Sequence, residues 1–246
     1  MARPFQSRHS ELKEAGKAFE DWVRFNTSRR SAFGDMIHTW VIALRNQYEP
    51  RDEEWTAREA EYEAIRAKVG TDGMDIFAQC LAAIAVISQR EAGDHLGEFY
   101  QELAANWKEA GQFFTPYSLS TLTAGITFTK EAIDQAIAEK GYFSVYEPTC
   151  GSGGMIIASA DAVRALGFDP VECMRVYASD IDRICVDMTY IQSMLQGVPC
   201  WVQQANALDP HSGDRYAYRL ATPSFVASLD REIMANQGPE LLKSVA

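Results

Sequence analysis

From Ser10 onward the chain places Leu12, Ala15, Phe19, Trp22 and Val23 three or four positions apart, so they share one face of a helix that Ser10 can cap. Met36, Ile37, Trp40, Val41 and Leu44 repeat the spacing and predict a second helix, which ends before Pro50. The run RDEEWTAREAEYEAIRAK at 51–68 predicts a solvated helix with opposite charges one turn apart. A turn at Thr71–Gly73 precedes another helix reaching Ile87. Residues 1–105 are therefore expected to form a helical domain. After it the period changes: FSVYEP, CMRVYASD and CWVQQA are short and apolar, and they alternate with the helical patterns GGMIIASADAVRAL and IDRICVDMTYIQSMLQ. That alternation predicts an α/β unit over 106–246, a parallel, doubly wound sheet with right-handed crossovers.

A length of 246 residues suits one or two domains, and 47% apolar with 23% charged residues is the balance of a soluble globular protein. The opening MARPFQSRHSELKEAGK has no apolar core of a signal peptide. The longest apolar run, Cys80 to Ile87, falls well short of the ~20 helical residues that span a bilayer, so a cytoplasmic location without membrane contact is expected. The five cysteines, at 80, 150, 173, 185 and 200, are odd in number and form no C-x-x-C pair, which favours reduced thiols. His9, His38, His95 and His211 show no H-E-x-x-H and no pair at ligand spacing, so no metal is expected. A net charge of −11 repels phosphate, and any DNA contact must be local or delegated to a partner.

The chemistry concentrates in VYEPTCGSGGM, Val145 to Met155, where a strand runs through glycines 151, 153 and 154 into a helix. Glycines there let a ligand approach the backbone and leave amides free at the helix mouth. A dinucleotide fingerprint fails at Ile156, where its last glycine belongs, and no G-K-[ST] follows to make a phosphate loop. A nucleoside ligand without a pyrophosphate remains. The second strand ends in Asp180, placed to accept both ribose hydroxyls. Past the third, Asn206 can bond an adenine edge with Leu208 near the ring, and Glu147 can reach an ammonium group. Together these predict a pocket for S-adenosylmethionine at the carboxyl edge of the sheet.

EPTCGSGGM, preceded by GQFFTP at 111–116 and DHLGEFYQEL at 94–103, resembles the modification subunit of type I restriction systems and its relatives, the N6-adenine DNA methyltransferases. The resemblance covers roughly 94–208. It implies a Rossmann-like, S-adenosylmethionine-dependent methyltransferase sheet after a helical region. It further implies that Gln112, Phe113, Phe114, Thr115 and Pro116 close over the methionine end, with Glu147, Cys150, Gly151 and Gly153 around that moiety. Asp180 and Ile181 would meet ribose and adenine, and Asn206 the adenine. DNA would be the substrate, reached through a specificity or completing subunit.

The family's N-P-P-[YF] motif, which holds the target amine and stacks on the base, has no full counterpart here. By register Thr222, Pro223, Ser224 and Phe225 would replace it after a fourth strand, with Ala217 where an acidic residue is usual. A plain loop is the competing reading of that segment. Only about 21 residues follow Phe225, enough for one helix over roughly Leu229–Lys243, so the sheet is expected to be incomplete after its fourth strand. Three readings stay open: a methyltransferase completed by another chain or by self-association, a cofactor-binding homologue without transfer activity that regulates restriction, and a methyltransferase of another substrate class.

Overall fold

The computed structural model describes residues 7–26, 28–104, 113–209 and 215–237. Helix α1 (Ser10–Asn26) buries Leu12, Phe19 and Val23, as their spacing requires. It begins at Ser10 itself: the Lys13 amide bonds the His9 carbonyl, so His9 rather than Ser10 takes the cap position. Helix α2 (Arg29–Tyr48) is capped by Ser28, whose hydroxyl accepts from the Ser31 amide, and it buries Met36, Ile37, Trp40 and Val41.

Helix α3 (Glu53–Arg90) starts at the Asp52 cap and carries the exposed charged run. The expected turn at Thr71–Gly73 is instead a kink one residue earlier, at Gly70, whose φ of 73° is a left-handed value that glycine tolerates. By length and composition α3 meets the test for a membrane-crossing helix, although no single apolar run in it is long. Its Phe77, Cys80, Ile84 and Ile87 lie buried in the protein core. Three further helices follow, α4 (His95–Ala104), α5 (Tyr117–Thr127) and α6 (Lys130–Lys140).

The alternating half forms a four-stranded mixed sheet of the α/β class expected. Strands β1 (Phe143–Glu147), β2 (Met174–Asp180) and β3 (Cys200–Gln204) lie side by side and parallel, with Val145 opposite Val176 and Val176 opposite Cys200. Helix α7 (Gly154–Ala165), followed by the short α8 (Pro170–Cys173), connects β1 to β2, and α9 (Arg183–Leu195) connects β2 to β3. The fourth strand corrects the expectation. Strand β4 (Arg219–Ala221) runs antiparallel to β3, with Trp201 opposite Ala221, and leads into α10 (Pro223–Gln237). Strand order is β1-β2-β3-β4, which leaves β1 at one edge.

Along β2 the side chains alternate. Arg175 and Tyr177 face α10, where Arg175 bonds the Ser228 carbonyl and Tyr177 meets Phe225 edge-on at 5.4 Å. The expected division at residue 105 falls outside the described residues, and the buried apolar cluster runs without a break from Leu12 to Leu220. Polar ties reinforce that continuity: Arg30 of α2 pairs with Asp182 at 2.8 Å, and the Leu96 amide of α4 donates to the Gln192 side chain of α9.

Candidate functional site

The loop after β1 is shaped by two left-handed glycines, Gly151 (φ 56°) and Gly153 (φ 96°). A Cβ at Gly151 would sit 3.0 Å from the Phe114 ring, and one at Gly153 would meet the Thr189 backbone at 3.2 Å. Both conformation and space therefore select glycine. The loop is fastened at each turn: the Cys150 amide donates to the Ser179 carbonyl, the Gly153 amide to the Cys150 carbonyl, and the Thr189 hydroxyl to the Gly151 carbonyl.

Asp180 ends β2 beneath this loop. One carboxylate oxygen accepts from the Gly151 amide and the other from the Asp182 amide, each at 2.9 Å. An ionised carboxylate has about four acceptor positions, so two stay available for a diol. Glu147 stands at the end of the neighbouring strand, its carboxyl pushed up by burial and further by the charge of Asp180. Two carboxyls sharing one cavity favour a ligand that brings positive charge.

That cavity, of roughly 580 Å3, is lined by Phe113, Phe114, Thr115, Glu147, Cys150, Gly151 and Asp180. Phe114 packs against Tyr100 at 5.3 Å, whereas Phe113 is 92% exposed. Pro116 sits beside the cavity at the start of α5, and Gly153 lies buried behind the loop as the cap of α7. Ile181 projects outward from the end of β2. Asn206 and Leu208 follow β3 without lining the cavity: the Asn206 carbonyl oxygen accepts from the Leu208 amide, and Leu208 is 93% exposed. Gln112 lies outside the described residues.

Thr222, Pro223, Ser224 and Phe225 do not join these groups. Because β4 runs antiparallel, its end lies at the amino edge of the sheet, where the Thr222 hydroxyl accepts from the Cys200 amide at the start of β3. The segment is a helix start: Thr222 caps α10, its carbonyl and, at 3.4 Å, its hydroxyl both accepting from the Phe225 amide, and Pro223 occupies the first turn. Phe225 is 3% exposed and belongs to the core. In the structure the segment is therefore a helix cap rather than a plain loop, and it stands apart from the cavity.

The residue that sequence reasoning passed over is Asp94. Its carboxylate accepts from the Ser152 hydroxyl (2.6 Å), the Gln192 amide (2.7 Å) and the Gly97 backbone amide (3.0 Å), joining α4 and α9 to the glycine loop. A Cβ at Gly97 or Gly154 would come within 2.3 or 2.7 Å of that carboxylate, which explains both glycines. An Asp opening a helix is a readable cap signal. Its reach to Ser152, 58 residues away, has no local signal.

The family model for N-6 DNA methylases matches residues 91–227. The methylase subunit of the type I restriction enzyme MjaIX of Methanocaldococcus jannaschii is 23% identical over 172 residues, covering 67% of this chain, which spans 27% of that relative's length. Two solved structures align over 81% of this chain. One, described as a class I S-adenosylmethionine-dependent methyltransferase from Listeria monocytogenes, is 13% identical with a TM-score of 0.41 over 54% of its own length. The other, the methyltransferase subunit of a type I restriction-modification system from Streptococcus thermophilus, is 18% identical with a TM-score of 0.39 over 52% of its length. With more than half of its residues matched by that model, the chain belongs to the N-6 DNA methylase family.

Proposed function

We propose that this chain binds S-adenosylmethionine in the cavity at the carboxyl edge of the sheet and serves as the cofactor-holding part of an adenine-N6 DNA methyltransferase of restriction-modification type. The observation that carries the reading is Asp180: a buried carboxylate with acceptor positions to spare, directly beneath a left-handed glycine loop and facing a cavity. Asp180 would take the ribose hydroxyls and Glu147 the ammonium group. Phe114 and Thr115 would cover the methionine end, with Gly151 giving the backbone its close approach. The cofactor, when bound, supplies the methyl group. Asn206 would reach the adenine by giving up its bond to the Leu208 amide. The working protein would be cytoplasmic and would meet DNA through a specificity or completing subunit, or through a further copy of itself.

Titration calorimetry tests the cofactor reading. Wild type should bind S-adenosylmethionine, and Asp180→Ala should weaken binding by about 1–3 kcal/mol, the range for charge-assisted hydrogen bonds. No heat at millimolar ligand would overturn it.

A second reading, favoured by the position of Thr222 at the far edge of the sheet, is a cofactor-binding homologue that transfers no methyl group by itself. The exocyclic amine of adenine needs acceptors placed in advance, and losing one such interaction costs about 10² to 10³ in rate. A radiolabelled methyl-transfer assay on unmethylated DNA separates the two. Robust adenine methylation by the purified chain alone would eliminate the second reading.

A further inference from the structure

The turn from α3 into α4 carries Glu91 and His95, four residues apart, and brings them against His9 from ahead of α1. One ring nitrogen of His9, one of His95 and a carboxylate oxygen of Glu91 all lie within 4.8 Å of one another. The His9 and His95 rings meet edge to face at 5.4 Å. His9 Nε2 and Glu91 Oε1 are 3.1 Å apart. Ligand bonds of about 2.0–2.2 Å place neighbouring donor atoms around a zinc-class ion roughly 3 Å from each other, so this pair already has the right separation.

The spot already holds positive charge. Arg8 donates from Nε to His9 Nε2 at 3.1 Å and from Nη2 to Glu91 Oε1 at 2.8 Å, bridging the two acceptors. Its side chain is 70% exposed and can turn out to solvent at little cost. His95 is held more firmly. Its Nε2 lies 3.0 Å from the Glu91 backbone carbonyl, which can only accept, so Nε2 donates there and Nδ1 is the nitrogen a neutral ring offers to a metal. A ring N–H given to a backbone carbonyl is the usual support of a ligating histidine. A Cβ at Gly93 would press on the ring at 2.6 Å, and the Gly93 backbone is clamped from both sides by the Gln196 amide. A cavity of roughly 420 Å3, bordered by Arg8, His95 and Thr115, opens beside the cluster.

We propose that His9, Glu91 and His95 form a binding site for one divalent cation of the zinc class, completed by solvent from that cavity. The ion fastens the segment before α1 to the start of α4. Two histidines and one glutamate suit zinc or cobalt better than calcium or magnesium, which take oxygen ligands.

The test uses the whole chain, stripped with chelator, loaded with Co(II) or Zn(II) and passed through gel filtration. Wild type should retain about one equivalent and, with cobalt, show visible ligand-field absorption. His9→Ala and Glu91→Gln alter partly exposed side chains, and both should fold as judged by circular dichroism. Each should bind about 10-fold or more weakly, since even supporting residues of metal sites are worth that much. Wild type that retains no metal, or variants that retain as much as wild type, would overturn the site.

Discussion

Asp94 is buried among three donors, and burial pushes its carboxyl above the usual range while Ser152 and Gln192 pull it down. A carboxyl whose folded pKa is raised contributes stability that is fully present below its unfolded pKa and is lost as pH rises through the folded one. Asp94→Asn does not titrate at this site, and its amide can still accept from Gln192 while donating to the Ser152 hydroxyl. Wild type should therefore gain stability relative to Asp94→Asn as pH falls from neutrality through the raised pKa towards 3.8, the ordinary value. Paired thermal melts across that interval check the sign. Asp94→Ala leaves buried donors unpaired and should cost about 1–3 kcal/mol at neutral pH. None of this was legible from spacing, because Asp94 meets Gln192 across 98 positions. Asp180 was legible, since it is the acid that ends the next strand pattern after the glycine loop and its helix, which places it by local rules alone.

At the scale of elements, the strands, crossover helices and glycine loop follow from local patterns: apolar runs of five to seven residues, separated by helical spacing and glycine turns. The direction of β4 did not follow. A three-residue strand has too few side chains for its alternation to fix a face or a neighbour, and pairing with β3 is a tertiary choice. The same ambiguity hid the meaning of TPSF, because a capping Thr-Pro and a degenerate amine-binding motif share residue types. The cap makes a distinct prediction. Thr222→Ala should lower stability by about 1 kcal/mol or more, through the lost cap at α10 and the unpaired Cys200 amide. Affinity for S-adenosylmethionine should stay as in wild type, since Thr222 is at the other edge of the sheet. Calorimetric melts and binding isotherms on one preparation decide it, and a selective loss of binding would return the segment to the pocket.

For the molecule as a whole, β1 pairs only with β2 among the described residues, and Tyr146, beside Tyr177 in register, is 68% exposed. An unpaired parallel edge carrying an aromatic residue is a template for another strand. Light scattering should report a mass above 27.5 kDa at high concentration, and Tyr146→Lys should return it to the monomer value. A strictly monomeric wild type would count against association through this edge. The helical region is no appendage, since α4 holds the glycine loop through Asp94 and α9 through Gln192. That lock has a dynamic meaning: the amides of Leu96 and Gly97 are held by Gln192 and Asp94, the same side chains that hold Ser152 of the glycine loop, so the loop and the first turn of α4 belong to a single unit of local opening. Their deuterium uptake should rise and fall together, and a ligand that quiets the loop should quiet the first turn of α4, some fifty residues earlier, by the same factor.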